Sequence, residues 1–428
     1  MSVELSSHYR SRQPSVIREA QIIFSRRKDK DLIKVVNMAI GNIHLPMHPV
    51  LQKRMKELGD TRFSDGVVKY TPSEGTKDAR EAFLNIISSD GSDISDLNCI
   101  VTDGGSQAME LMMLGVCGPS AKKPLVLLDP AYTNYLEFGK RLSIPIISLD
   151  RTMRDDGTFE DMDFDSLELL IKKNNPAGLL VIPFDNPTGQ FLSQEQLIKI
   201  AKLCVHHGLW LISDEAYRPL FYGDGNSSSV WKITEDMVSG IKGIRISIES
   251  ASKVWNACGL RIGSLVTDNH DFHTKGVSEY TANLCANALG QEIFGGLAYE
   301  SHENLNKWFD LQKKYYKKTM NLLRTNFLKE IPGLIVTKPE AAIYFIIDFR
   351  NICDSSFDAV SFIHYCASEG KVDIEGDLFT LLLAPMGGFY KNKKSGKTQL
   401  RVAIVETEDL MKKAPKVLSQ LYSSYLNL

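Results

Sequence analysis

The chain lacks the marks of a secreted, membrane-spanning or nucleic-acid-binding protein. Its seven cysteines are scattered, odd in number and without a C-x-x-C pair. That fits free thiols in a reducing compartment better than a disulfide framework. No apolar run approaches the roughly 18 residues that cross a bilayer, and no apolar signal-peptide core opens the sequence. A cytoplasmic protein with no membrane partner is the expectation. Basic charge is not in excess, since the formal net charge is −2. Lys391, Lys393, Lys394 and Lys397 crowd one Gly/Ser-containing stretch, which reads as a solvated loop, so no nucleic-acid partner is expected. Internal repeats and low-complexity tracts are missing as well.

What is present suits a globular enzyme. With 428 residues, 43% hydrophobic and 24% charged, the chain is long enough for two compact units sharing an interface. From about residue 99 a strand–turn–helix pattern recurs. Leu125-Val-Leu-Leu, Gly178-Leu-Leu-Val and Trp210-Leu-Ile-Ser are strand-like apolar runs, and Ser193-Gln-Glu-Gln196 is a capping box opening a helix. Continuous apolar strands alternating with helices predict an α/β fold, a mostly parallel sheet covered on both faces. From about residue 300 the texture changes to one long charged helix followed by short strands and helices. This predicts a smaller α+β domain. The expected division is 1–45 (an N-terminal arm and part of the small domain), 46–300 (a large domain) and 301–428 (the small domain).

Candidate chemistry clusters just beyond strand ends, where open α/β sheets bind ligands. Ser250-Ala-Ser-Lys253 lies eight residues before Arg261, in Gly259-Leu-Arg-Ile-Gly263. A lysine, hydroxyls and an arginine at such offsets can anchor a carbonyl cofactor covalently and hold its phosphate; the same stretch also reads as a surface loop. Gly104-Gly-Ser106-Gln107 stands between a strand and a helix, either an anion site at a helix N-terminus or a plain tight turn. Asp214 follows a strand and suits a protonated pyridine nitrogen, or simply caps a helix. Tyr217 and the Asn186-Pro-Thr-Gly turn can reach a phenolic oxygen, and Tyr132 can stack on a ring; packing and turn roles serve each equally well.

Taken in order, these motifs resemble the class I/II aminotransferases that use pyridoxal 5′-phosphate (PLP) and share the aspartate aminotransferase fold, PLP-transferase fold type I. The resemblance runs from about Ile40 to Arg401. It implies that Lys253 is the Schiff-base lysine and proton carrier, and that Asp214 pairs with the pyridine nitrogen. Asn186 and Tyr217 would bind the phenolic oxygen while Tyr132 stacks on the ring. Gly105, Ser106, Gln107, Ser250 and Arg261 would form the phosphate cradle. Tyr70 matches a tyrosine given across a homodimer with shared active sites. Arg401 matches the clamp on the substrate α-carboxylate, helped by Asn186, and Ile40 and Gly41 match the loop closing over substrate. The implied partners are an amino acid and a 2-oxo acid.

Some positions depart from the family pattern. Gly105 stands where many relatives carry a hydroxyl, and Ala341 where glycine is usual. No arginine occurs between Arg261 and Arg324, the stretch where dicarboxylate-specific relatives carry a second one. Aspartate is therefore not expected to be preferred through such a residue. Other uses of the same scaffold are a C–S β-elimination lyase or another Cα-deprotonating enzyme, and a non-catalytic regulator.

Overall fold

The structure, a computed structural model, describes residues 3–60 and 62–427. Its centre is a seven-stranded sheet in the order β2-β8-β7-β6-β5-β3-β4. The strands are β2 (Asn98–Thr102), β3 (Leu125–Asp129), β4 (Ile146–Asp150), β5 (Gly178–Val181), β6 (Trp210–Asp214), β7 (Arg245–Ser250) and β8 (Gly263–Thr267). The pairings from β4 across to β7 are parallel, and β8 runs antiparallel to both of its neighbours.

Side chains alternate across a strand, and here both faces are buried. Val126 and Leu128, with Leu179 and Val181, join one hydrophobic cluster, whereas Leu125 and Leu127, with Leu180 and Ile182, join another. Every residue of β3, β5, β7 and β8 is buried. Burial on both faces explains the continuous apolar runs of β3 and β5, whereas β7 (Arg-Ile-Ser-Ile-Glu-Ser) alternates and buries its polar side chains as well.

The remaining strands form two smaller sheets. In one, β1 (Lys34–Asn37) pairs in parallel with β12 (Asp377–Leu382), which also pairs with β11 (Val372–Ile374). In the other, β9 (Ile335–Val336), β10 (Tyr344–Asp348), β13 (Ala384–Pro385) and β14 (Gln399–Ala403) are antiparallel neighbours. The backbone N–H of Met38 donates to Leu382 and that of Ala403 to Met38. These bonds carry the chain from β1 into Ala39-Ile40-Gly41, directly over the C-terminal ends of the large-sheet strands. No helix among the described residues is long and apolar enough to cross a membrane.

Candidate active site

Asp214 ends β6 and is 3% exposed. Its Oδ2 accepts the Tyr135 hydroxyl at 2.7 Å and its Oδ1 the Ala216 N–H at 3.2 Å. Burial pushes its pKa up to about 6 against the opposing pull of the Tyr135 hydroxyl. A buried carboxylate met only by neutral donors is suited to a cationic N–H from a ligand.

The turn after β5 supplies Asn186, whose Nδ2 lies 3.5 Å from the Tyr217 hydroxyl. Tyr217 in turn shares a 2.8 Å hydrogen bond with Tyr344 on β10. Arg401 on β14 donates through Nη1 to Asn186 Oδ1 (2.9 Å) and through Nη2 to the Ala39 carbonyl (2.6 Å). Its guanidinium is sandwiched between the rings of Tyr344 and Phe389, 4.3 and 4.9 Å from the centroids. Its Nε is buried with no partner among the described residues, an orphaned donor in a buried cation. Burial holds the Tyr217 hydroxyl well above its ordinary pKa and pushes that of Tyr132 up to about 12, so both are protonated donors at neutral pH.

Lys253 enters from the turn after β7, half-buried, and its Nζ donates to the Gly41 carbonyl at 2.5 Å. A Cβ on residue 41 would sit 2.6 Å from that Nζ and 2.7 Å from the Tyr344 hydroxyl. Any larger residue there would have to push the Lys253 amine or the Tyr344 hydroxyl aside: the backbone at 41 approaches both closely.

A cradle lies at the opposite end. Gly104, at φ +80°, caps the Gly105–Val116 helix, and the helix N-terminus offers unpaired N–H groups and positive potential. A Cβ on Gly104 would overlap the Arg261 guanidinium, and one on Gly263 would overlap the Gly105 backbone. Arg261 is in the left-handed region (φ 54°), with Nη1 donating to the Cys258 carbonyl at 3.0 Å. Ser106 sits in the first helical turn, and Ser250 accepts the Ser252 N–H at 3.1 Å. Gln107 shares the turn, but its Oε1 accepts both the Asp103 N–H (2.9 Å) and the Tyr280 hydroxyl (2.8 Å). Its side chain braces the cradle rather than facing into it. Gly104→Ala is expected to weaken cofactor retention about 5- to 150-fold by displacing Arg261 from its place, at a cost of about 1–3 kcal/mol. Equilibrium dialysis against PLP checks this, and unchanged affinity would contradict the cradle.

These residues fit PLP. A helix N-terminus beside a guanidinium, a buried carboxylate, a phenol paired with an amide, and an amine are the groups that molecule calls for. Tyr70 is apart from them, 79% exposed on the surface of this chain.

Several participants were not read from the sequence. Tyr135 and Tyr344 act across elements far apart in the chain. Arg151 bonds Asp185 Oδ2 at 2.7 Å and the Pro130 carbonyl at 2.6 Å, tying the turn that carries Asn186 to the one that carries Tyr132. Asp129 Oδ2 accepts the Lys391 N–H at 2.6 Å and the Ala131 N–H donates to the Phe389 carbonyl at 2.8 Å, which docks the 386–397 loop and places Phe389 on Arg401. Only Asp129 and Arg151, charged residues at the ends of apolar strands, left a local signal.

Comparison with known proteins agrees with this geometry. The family model described as aminotransferase class I and II matches residues 33–410. An aspartate aminotransferase of Pyrococcus horikoshii is 24% identical over 373 residues, covering 85% of this chain and 89% of the relative. A tyrosine aminotransferase of Caenorhabditis elegans is 25% identical, over 74% of this chain and 66% of the relative. The solved N-succinyldiaminopimelate aminotransferase of Mycobacterium tuberculosis superposes with a TM-score of 0.81 at 19% identity, covering 98% of this chain and all of that one. With the family model spanning most of the sequence, this chain belongs to the class I and II aminotransferases, enzymes that use pyridoxal 5′-phosphate.

Proposed function

We propose that Lys253 holds the cofactor covalently and carries the proton in transfer of an amino group from an amino acid to a 2-oxo acid. The observation behind this reading is the convergence of the Lys253 amine, the Tyr217–Asn186 pair and the Arg401 clamp around Gly41 and Tyr344. When bound, the cofactor supplies an electron sink that weakens the substrate Cα–H bond. The protein does the rest. Asp214 binds the ring nitrogen and keeps it protonated. Tyr217 and Asn186 donate to the phenolic oxygen, and Tyr132 covers the ring. Gly105, Ser106, Ser250 and Arg261 take the phosphate, with Gln107 bracing their turn. Arg401 receives the α-carboxylate, whose second neighbour is Asn186. Lys253 Nζ then takes the Cα proton from a substrate already fixed in position. Ile40 and Gly41, carried over the site by β1, exclude water above it.

We read the chain as divided into 1–45, 46–300 and 301–428, with two contacts in support. The first segment adds β1 to β12, and Arg401 reaches Asn186 across the boundary. We also read the exposed Tyr70 as a residue given to a second copy's phosphate site, making the working form a homodimer in the cytoplasm. A fully active monomer in sedimentation would overturn that part.

Adding amino acids singly to the purified holoenzyme, without acceptor, tests the activity. The cofactor's visible band is expected to move to the pyridoxamine form and return when a 2-oxo acid is added. Neutral and aromatic donors are expected to lead, because Tyr344 and Phe389 flank Arg401 and no second arginine lies between Arg261 and Arg324. A cystathionine beta-lyase of Bacillus subtilis is also similar, 23% identical over 67% of this chain and 72% of the relative. Pyruvate and ammonia released from cysteine derivatives without acceptor would therefore move the assignment to the lyase. A strong preference for aspartate would remove the donor argument.

A further inference from the structure

A second cluster of ligand-capable side chains lies outside this site. His206 and His207 close the helix Gln194–His207, which leads into β6. They stand at the edge of the sheet where strands begin, opposite the edge that carries Asp214 and Lys253. Glu168, on the preceding helix Phe164–Asn174, faces them. We propose that Glu168, His206 and His207 bind a divalent transition-metal cation of the zinc type.

Geometry carries this first. One ligand atom from each residue lies within 4.8 Å of the other two. His207 Nε2 is already 3.2 Å from Glu168 Oε1, and the two imidazole centroids are 4.6 Å apart. Zinc bonds nitrogen and oxygen at about 2.0–2.2 Å, so tetrahedral ligand atoms sit about 3.4 Å from one another. The triad therefore has to close by up to about 1.4 Å, within reach of a rotation of the exposed His206 side chain.

The chemistry of the donors narrows the ion. Two imidazoles and one carboxylate suit zinc, copper or nickel, whereas magnesium and calcium take all-oxygen shells. Electrostatics favour a cation here as well. The helix ends at Gly208 in the left-handed conformation (φ 64°), and the negative end of its dipole lies beside the two histidines. Lys172 opposes binding, its Nζ being 2.9 Å from Glu168 Oε1. Lys172 is exposed and Glu168 half-buried, and they stand one helical turn apart, in the kind of contact that contributes little and yields readily. With three protein ligands and water as the fourth, the ion would cross-link two helices on the sheet's outer layer rather than take part in the reaction.

The test uses the holoenzyme, stripped with a chelator and titrated with Zn²⁺ by calorimetry and with Co²⁺ by visible absorbance. One equivalent per chain is expected, with a dissociation constant on the order of 10 µM. His206→Gln/His207→Gln is expected to weaken binding at least about tenfold, with amino-group transfer unchanged. Lys172→Met is expected to tighten it by removing the competing ammonium. Uptake unchanged in the double histidine variant would assign the metal to the thiols or elsewhere and overturn the proposal. So would no uptake at about 1 mM ion, or weaker binding in Lys172→Met.

Discussion

Lys253→Ala is expected to lower kcat by about 10⁴-fold or more, because one amine serves both as covalent anchor and as proton carrier. The fold should survive the change. Among the described residues the Lys253 side chain makes one hydrogen bond, to the Gly41 carbonyl, and its neighbours Val254 and Trp255, not the lysine itself, belong to the buried core. Cofactor bound by the variant should remain in its free aldehyde form, since the phosphate cradle, Asp214 and Tyr132 are intact. Lys253→Arg keeps a cation at the position but cannot form the bond, and is expected to be as inactive as alanine. A Lys253→Ala enzyme retaining a tenth of wild-type turnover would mean that another base carries the proton.

The second large effect concerns Arg401. Arg401→Gln is expected to cost about 2–5 kcal/mol in kcat/KM, the range for removing one partner of a buried, hydrogen-bonded charge pair. That corresponds to a loss of about 30- to 5,000-fold. The loss should fall mainly on KM for amino acids and equally on every donor, because each presents the same α-carboxylate. Arg401→Lys is expected to recover only part of it, since an ammonium cannot reproduce the planar two-pronged donor. The visible band should be little changed, as Arg401 reaches the cofactor region indirectly, through Asn186 and through Tyr344, which bonds Tyr217. An amine lacking a carboxylate provides the control: its slow turnover should be indifferent to the substitution. If that amine suffered as much as the amino acids, the role of Arg401 would be to hold Asn186, Tyr344 and Phe389 in place rather than to bind substrate.

How much of this was legible in the sequence depended on whether the information was local. Lys253, Arg261, Asp214, Asn186 and Gly104 each stand in a short motif whose turn or strand end is specified by its own neighbours. The order of those motifs identified the family, and the resemblance in turn supplied the proposed roles of Arg401 and Tyr70, which have no local signature. The strand pattern was equally readable, because burial on both faces leaves long apolar runs in β3 and β5. The antiparallel direction of β8 and the pairing of β1 with β12 were not, since nothing within a strand encodes a partner hundreds of residues away. The same reason hid Tyr135, Tyr344 and Phe389. Their hydroxyls and rings matter only because distant elements bring them to Asp214, Tyr217 and Arg401. Gln107 shows what a motif leaves unsaid about a side chain. It lies in the right turn, but the acceptor oxygen is already engaged by Asp103 and Tyr280.

The measurement that bears most directly on the account is chemical trapping of the cofactor. The holoenzyme would be reduced with borohydride, digested, and the modified peptide located by mass spectrometry. The account predicts a phosphopyridoxyl group on Lys253, in the peptide containing Ser250 and Trp255, and on no other lysine. Stoichiometric label on a different lysine, with Lys253 unmodified, would contradict it.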